Sequence, residues 1–242
     1  ALQVGVNYAN DYSDGIRGTD QDRIGPRRLV GSGLVNANQV KLAAGISFLI
    51  AAIAGLVLAI MTSLWLILIG CIAILAAWFY TGGSRPYGYS GYGEVSVFVF
   101  FGLVATVGSS YVQSQTIESI SILGSVPVGL LASALLVVNN FRDIETDAET
   151  GKQTFAVRLG KAKTKMFFAL LLLASLGMYV LIAVFYTYLV LITLVVIPLI
   201  IKLIYDIFSK ENAQDLINLL ENTAKLHLLA GILLSIGLAA GV

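Results

Sequence analysis

Two clusters of carboxylate and amide side chains stand out in a sequence with few charged residues. They contain Asn7, Asn10, Asp11, Asp14, Asp20 and Asp22 in the first cluster, and Asn139, Asn140, Asp143, Asp147 and Glu149 in the second. Such oxygens, with no neighbouring cysteine or histidine, suit a hard cation. We therefore predict a magnesium site, because Mg²⁺ is held by one or two carboxylates together with phosphate oxygens and water.

The spacing within each cluster predicts that its oxygens share a face. Asn10 and Asp14 are four residues apart, as are Asn139, Asp143 and Asp147 in series, so on a helix each set would project from one side. Both clusters repeat an asparagine, an aromatic residue and an aspartate at equal spacing, which suggests a weak internal repeat with the site between its halves. We expect the two clusters to converge on one pocket.

Long apolar segments must position these clusters. The sequence is 57% hydrophobic and 12% charged, with a mean hydropathy of +0.87, and a helix that spans a bilayer needs roughly 20 mostly apolar residues. Continuous apolar runs without period-2 alternation predict helices and exclude a barrel. We therefore predict an all-α, polytopic transmembrane helix bundle that forms a single domain over residues 1–242. The seven complete runs cover about 40–61, 64–80, 94–112, 119–140, 165–185, 187–205 and 226–242.

The basic residues predict the orientation. All 15 Lys and Arg residues fall in or beside four loops, at 15–39, 81–93, 141–164 and 206–225, whereas the opposite turns hold only Glu118. By the positive-inside rule the four loops face the cytoplasm, and so do both acidic clusters.

Other classes of protein remain possible at this point. Charged residues at helix ends are commonly a solvated interface, and a cation-coupled carrier or a structural scaffold would also span the membrane. A carrier predicts carboxylates near mid-membrane. The interiors of the complete spans contain no ionisable residue, which argues against an ion path.

Three blocks of sequence resemble one known family. NDYSDGIRGTD, YTGGSRPYGYSGYGEVSVFVFFG and NNFRDIETDAETGK are similar to the motifs of the UbiA superfamily of membrane prenyltransferases, and within it to the branch that acts on 1,4-dihydroxy-2-naphthoate. That branch has nine spans, so the resemblance implies an N-terminally truncated chain with about eight helices, the first one missing.

The resemblance also implies an activity. It is magnesium-dependent transfer of a polyprenyl group from an allylic diphosphate to 1,4-dihydroxy-2-naphthoate, with decarboxylation to demethylmenaquinone. The protein would lie in the inner cell membrane as a multi-pass protein with a cytoplasmic active site, in contact with the lipid bilayer and with no nucleic acid. A relative that uses another aromatic acceptor, such as 4-hydroxybenzoate or a chlorin, is the alternative.

We assign site residues on this basis. The expected metal ligands are Asp11, Asp14, Asp20, Asp143 and Asp147, and the expected catalytic residues are Asp14, Asp143, Asp147 and Glu94. The expected substrate-binding residues are Asn7, Asn10, Tyr12, Arg17, Arg23, Arg27, Tyr87, Asn139, Asn140, Arg142 and Lys152.

Physical reasons support several of these roles. The arginines and the lysine could bind phosphate oxygens. Tyrosines at the loop ends, Tyr12, Tyr87 and Tyr89 among them, either steady an allylic cation or form the interfacial aromatic belt. Glu94 is either a base or orienter near the acceptor or a helix cap. The glycine-rich loop GPRRLVGSG is either a mobile lid or an ordinary loop.

Overall fold

A computed structural model describes residues 1–19 and 27–241, and this part of the chain is helical with no strand. The α-helices are α1 (Leu2–Arg17), α2 (Ala37–Met61), α3 (Trp65–Phe79), α4 (Gly93–Val97), α5 (Ala105–Ser114), α6 (Ser119–Arg142), α7 (Ile144–Glu149), α8 (Phe155–Phe185), α9 (Ile197–Ser209) and α10 (Ala213–Ala239). A π-helix, Phe98–Val104, joins α4 to α5, and 3₁₀ helices cover Tyr87–Ser90 and Tyr188–Val196.

Six of the described helical segments are long and apolar enough to cross a bilayer. The prediction of an all-α polytopic membrane protein is therefore confirmed. Helix α10 begins at Ala213, before the apolar run at about 226, and in α8 the non-helical backbone of Gly160 (φ 74°, ψ 167°) separates residues 155–159 from the span that follows. Burial in lipid decides where a run is apolar, whereas backbone hydrogen bonding decides where a helix ends.

The chain forms two compact units. The first consists of Ala1–Gly93 and Glu145–Val157. In it α1 packs against α2 and α3, with Ala9, Ala44 and Phe48 in its apolar core. Helix α1 ends at Gly18, whose φ of 75° lies in the left-handed region that glycine adopts readily and whose N–H bonds to carbonyls of the last turn.

The second unit consists of Glu94–Ile144 and Arg158–Val242, and α6 is its most buried helix. The π-helix packs against α6 at Gly102 and Gly129, where a Cβ on Gly102 would lie 2.5 Å from the Gly129 Cα. Only glycine allows two backbones to approach this closely. The glycine pair therefore fixes where the chain that starts at Glu94 lies along α6.

Helix α6 does not continue through the second cluster. It ends at Arg142, and Asp143 caps it with φ −96° and ψ 10° before α7 begins at Ile144. The prediction that Asn139, Asp143 and Asp147 lie on one face of a continuous helix is therefore wrong. The break also assigns Asp143 to the second unit and Asp147 to the first.

Candidate functional site

Asn7, Asn10, Asp11 and Asp14 of the first cluster lie on α1. Asp14 is 5% exposed, and Asn10 accepts a hydrogen bond at Oδ1 from the Thr81 hydroxyl at 2.8 Å. Thr81 is 2% exposed and belongs to the loop that follows α3. Because α1 is helical through both positions, Asn10 and Asp14 share a face as predicted.

Tyr89, in the same loop, lies at the centre of the first unit's polar residues. Its hydroxyl donates a short hydrogen bond to Asp14 Oδ1. The Arg17 guanidinium carbon lies 5.3 Å from the centroid of its ring, and Lys152 Nζ lies 5.1 Å from the same centroid. Burial, followed by the negative charge of Asp14, raises the pKa of the Tyr89 hydroxyl above its ordinary value. The phenol therefore remains a hydrogen-bond donor at neutral pH.

Lys152 connects the second acidic motif to the same tyrosine. The Nζ atom of Lys152 lies 3.3 Å from Asp147 Oδ1, and Asp147 is 5% exposed. The Tyr89 carbonyl accepts a hydrogen bond from the Gln153 N–H at 2.9 Å. The first unit thus connects Asp14 directly, and Asp147 through Lys152, to a single tyrosine, although the two aspartates are far apart in the sequence.

Arg17 is held by backbone carbonyl groups. Its guanidinium donates to the carbonyl oxygens of Thr81 and Gly83, and these hydrogen bonds fix its position. A guanidinium fixed in this way is the kind of group that binds phosphate oxygens.

Asp11 has a different environment from Asp14. Its two carboxylate oxygens accept hydrogen bonds from the backbone N–H groups of Leu29 and Val30, at 2.9 and 3.0 Å. Asp11 is 5% exposed. The carboxylate therefore holds the glycine-rich loop against α1, and its predicted role as a metal ligand stays a prediction.

Four further predicted site residues of the first unit are either packed against other groups or exposed. Tyr12 stacks on Trp78, with 6.5 Å between the ring centroids, and the Tyr87 hydroxyl donates to the Ala76 carbonyl at 2.8 Å. Asn7 and Arg27 are exposed. Two other predicted site residues, Asp20 and Arg23, lie outside the described residues.

The second unit contains the rest of the second motif. Arg142 forms a bidentate ion pair with Asp143, with N–O distances of 2.7 and 2.6 Å, and donates to Asn139 Oδ1 at 3.1 Å. This planar arrangement is the geometry in which arginine binds a carboxylate most strongly. It also means that Asp143 already has a cationic partner.

Glu94 and Asn140 form a buried pair in the same unit. Asn140 Nδ2 donates to Glu94 Oε1 at 3.0 Å, and the Ser133 hydroxyl donates to the Glu94 carbonyl at 3.1 Å. The second carboxylate oxygen, Oε2, is buried and has no hydrogen-bond partner within residues 1–19 and 27–241. A buried carboxyl oxygen without a partner is costly and is commonly associated with function.

The donor atoms fit a magnesium ion that arrives with its substrate. In the described part of the chain, no three acidic, histidine or cysteine side chains converge into a preformed metal cage. Mg²⁺ does not need one, because it usually takes one or two protein carboxylates and completes its shell with phosphate oxygens and water. Asp14 and Asp147 supply hard oxygen ligands of this kind in the first unit.

The fold and the site together define a class. The protein is a polytopic helical membrane protein with a buried carboxylate site that is bordered by arginine and lysine. The sequence profile of the UbiA prenyltransferase family matches residues 1–229. The chain therefore belongs to the UbiA prenyltransferase family.

Curated relatives are similar over nearly the whole chain. A Mycobacterium tuberculosis protein named 1,4-dihydroxy-2-naphthoate octaprenyltransferase is 46% identical over 100% of this chain and 82% of its own length. An Escherichia coli protein of the same name is 37% identical over 98% and 80%, respectively. A Gallus gallus protein named UbiA prenyltransferase domain-containing protein 1 is 28% identical over 98% of this chain and 71% of its own length.

Sequence reasoning missed Thr81 and assigned Tyr89 a different task. Neither residue lies in an acidic cluster, so charge patterning could not identify them. The only signal was their place in the YTGGSRPYGYSGYGE block, which carries part of the family resemblance.

Proposed function

We propose that the protein transfers a polyprenyl group from an allylic diphosphate to 1,4-dihydroxy-2-naphthoate, with loss of carbon dioxide and with magnesium. The arrangement of Asp14, Arg17 and Lys152 around Tyr89, with Asp147 paired to Lys152, carries this proposal, since it combines hard oxygen ligands with phosphate-binding cations. The relatives named for the same acceptor support the choice of naphthoate.

Asp14 and Asp147 are the proposed magnesium ligands of the first unit, and Asp20 and Asp143 are further candidates by their places in the two sequence motifs. When bound, Mg²⁺ supplies charge neutralisation to the departing diphosphate. Asp14 and Asp147 are mostly buried, so their carboxylates are poorly hydrated and favour a cation strongly. Asp11 is left out because both of its oxygens are used by the loop.

Basic residues are the proposed diphosphate ligands. Arg17 and Lys152 hold positive charge beside the carboxylates, and Arg27 and Arg23 are the further candidates on the loop that follows α1. Arg142 would share its guanidinium between Asp143 and a phosphate oxygen. Fixed cations of this kind stabilise the charge that develops as the leaving group departs.

The proposed reaction breaks two bonds and forms one between carbon atoms. The bond between the allylic carbon and the diphosphate oxygen breaks, and its electron pair leaves with the diphosphate. The naphthoate ring carbon that bears the carboxylate then bonds to the allylic carbon. Loss of carbon dioxide returns the electron pair of the carbon–carboxylate bond to the ring, which gives the reduced form of demethylmenaquinone.

Two further groups act on the acceptor in this proposal. Glu94, held by Asn140, would orient the acceptor through its second carboxylate oxygen. Apolar helices around the reacting carbons would exclude the water that quenches an allylic cation. The positive-inside pattern supports a cytoplasmic site in the inner membrane.

The test reconstitutes the full chain in proteoliposomes with a polyprenyl diphosphate and either 1,4-dihydroxy-2-naphthoate or 4-hydroxybenzoate, in Mg²⁺ or EDTA. We expect a prenylated, decarboxylated naphthoate product in Mg²⁺ alone, and at least 100-fold less product with Asp14→Asn. The control Glu118→Gln changes an exposed acid in a turn between spans and should retain activity. Product formation in EDTA, or transfer to 4-hydroxybenzoate alone, would refute the proposal.

A further inference from the structure

Tyr89 uses three different parts of its structure to contact both acidic motifs. Its hydroxyl bonds to Asp14, its ring lies beside Arg17 and Lys152, and its carbonyl accepts from Gln153. We propose that Tyr89 is the positioning residue of the metal and diphosphate site, and this inference rests on the function proposed above.

The hydroxyl orients a metal ligand. A carboxylate that accepts a short hydrogen bond at Oδ1 cannot rotate freely, and its Oδ2 is not used by this bond. Side chains that hydrogen-bond to a metal ligand without touching the metal fix the orientation of that ligand. Their removal typically weakens metal binding by about 10- to 100-fold. Asp14 is mostly buried, so water cannot easily take over the role of the phenol.

The ring orders the two cations. An aromatic face attracts guanidinium and ammonium groups but carries no net charge. The ring therefore holds Arg17 in place without adding a negative charge, and it also lies beside Lys152, whose ammonium group pairs with Asp147. A diphosphate approaching this site would meet two ordered positive charges.

The same contacts argue against the role that the sequence suggested for Tyr89. A ring that already carries two protein cations is poorly placed to steady an allylic cation as well, because like charges repel. The tyrosine acts on the diphosphate end of the substrate, and its carbonyl ties the chain that follows Asp147 to the loop.

The experiment compares variants that remove one part of Tyr89 at a time. Tyr89→Phe removes the hydroxyl and keeps the ring, whereas Tyr89→Leu removes both. Full-length protein in detergent micelles is titrated with Mn²⁺ in the presence of inorganic diphosphate, with free Mn²⁺ followed by electron paramagnetic resonance. Tyr188→Phe is the matched control, since Tyr188 is 74% exposed and lies outside both acidic motifs.

We expect Tyr89→Phe to weaken Mn²⁺ binding about tenfold or more, with diphosphate affinity in the absence of metal unchanged. Tyr89→Leu should weaken diphosphate binding without metal as well. Unchanged Mn²⁺ binding by Tyr89→Phe overturns the inference, and so does loss of metal-free diphosphate binding in that variant. If Tyr89→Phe does not fold, Tyr89→Trp, which keeps an aromatic face and lacks the hydroxyl, takes its place.

The binding measurement separates this inference from the proposed function. Wild-type protein that binds Mn²⁺ with diphosphate but prenylates no naphthoate would refute the function and leave the role of Tyr89 intact. Active wild-type protein whose Tyr89→Phe variant binds Mn²⁺ normally would leave the function intact and refute the role of Tyr89.

Discussion

Replacing Asp11 by alanine should release the loop that follows α1 without weakening metal binding. Asp11 accepts two backbone hydrogen bonds, from Leu29 and Val30, and a hydrogen bond to a charged acceptor contributes about 1.5–3 kcal/mol. Taking about 1.5 kcal/mol for each, the loss is about 3 kcal/mol, which corresponds to roughly 100-fold more frequent opening. Asp11→Asn keeps one acceptor oxygen, so about one bond and roughly a tenfold effect are expected.

Hydrogen–deuterium exchange measures this opening directly. Peptic fragments covering residues 27–35 are compared by mass spectrometry between wild type, Asp11→Ala and Asp11→Asn. Asp14→Asn is the matched control, because it removes a carboxylate charge one turn away on α1, and the hydrogen bonds of Leu29 and Val30 go to Asp11 instead. The reasoning is refuted if the Asp11 variants exchange like the wild type and lose Mn²⁺ binding as Asp14→Asn does. Asp11 would then be the metal ligand that the sequence predicted.

Two further predictions concern stability. Gly102→Ala should lower the free energy of unfolding by about 1–3 kcal/mol, because its Cβ would meet the Gly129 backbone. Gly108→Ala, with nothing within 4 Å of its Cβ, should be neutral or stabilising in the same thermal unfolding assay. Glu211→Gln should lower the unfolding temperature at pH 7, because the hydrogen bond and charge of Lys165 lower the pKa of Glu211. Because the pKa of Glu211 is lower in the folded protein than its unfolded value of 4.5, the ionised carboxylate stabilises the fold above that pH. The difference in unfolding temperature between variant and wild type should therefore shrink as the pH falls below 4.5. A difference that stays constant with pH would contradict this origin.

The sequence was sufficient to predict the membrane-spanning architecture, and it also supplies a prediction of the chemistry of the site. Burial in lipid requires long apolar runs whose backbone groups bond within each helix, so composition and run length alone predict an all-α polytopic protein. Clustered Asp and Asn residues indicated a hard cation, and the basic residues indicated the cytoplasmic face. These properties depend on residue type and local spacing, which the sequence records directly.

Only the tertiary structure determines which partners residues of the same type contact. Asp11 and Asp14 are neighbouring acids on one helix, yet one holds a loop and the other bonds to Tyr89. The helix break at Asp143 likewise separates it from Asp147, although a four-residue spacing predicted a shared face. Partners such as Tyr89 and Thr81 lie more than 60 residues away along the chain. Such contacts arise when distant segments pack, and no local pattern in the sequence encodes which side chain they will meet.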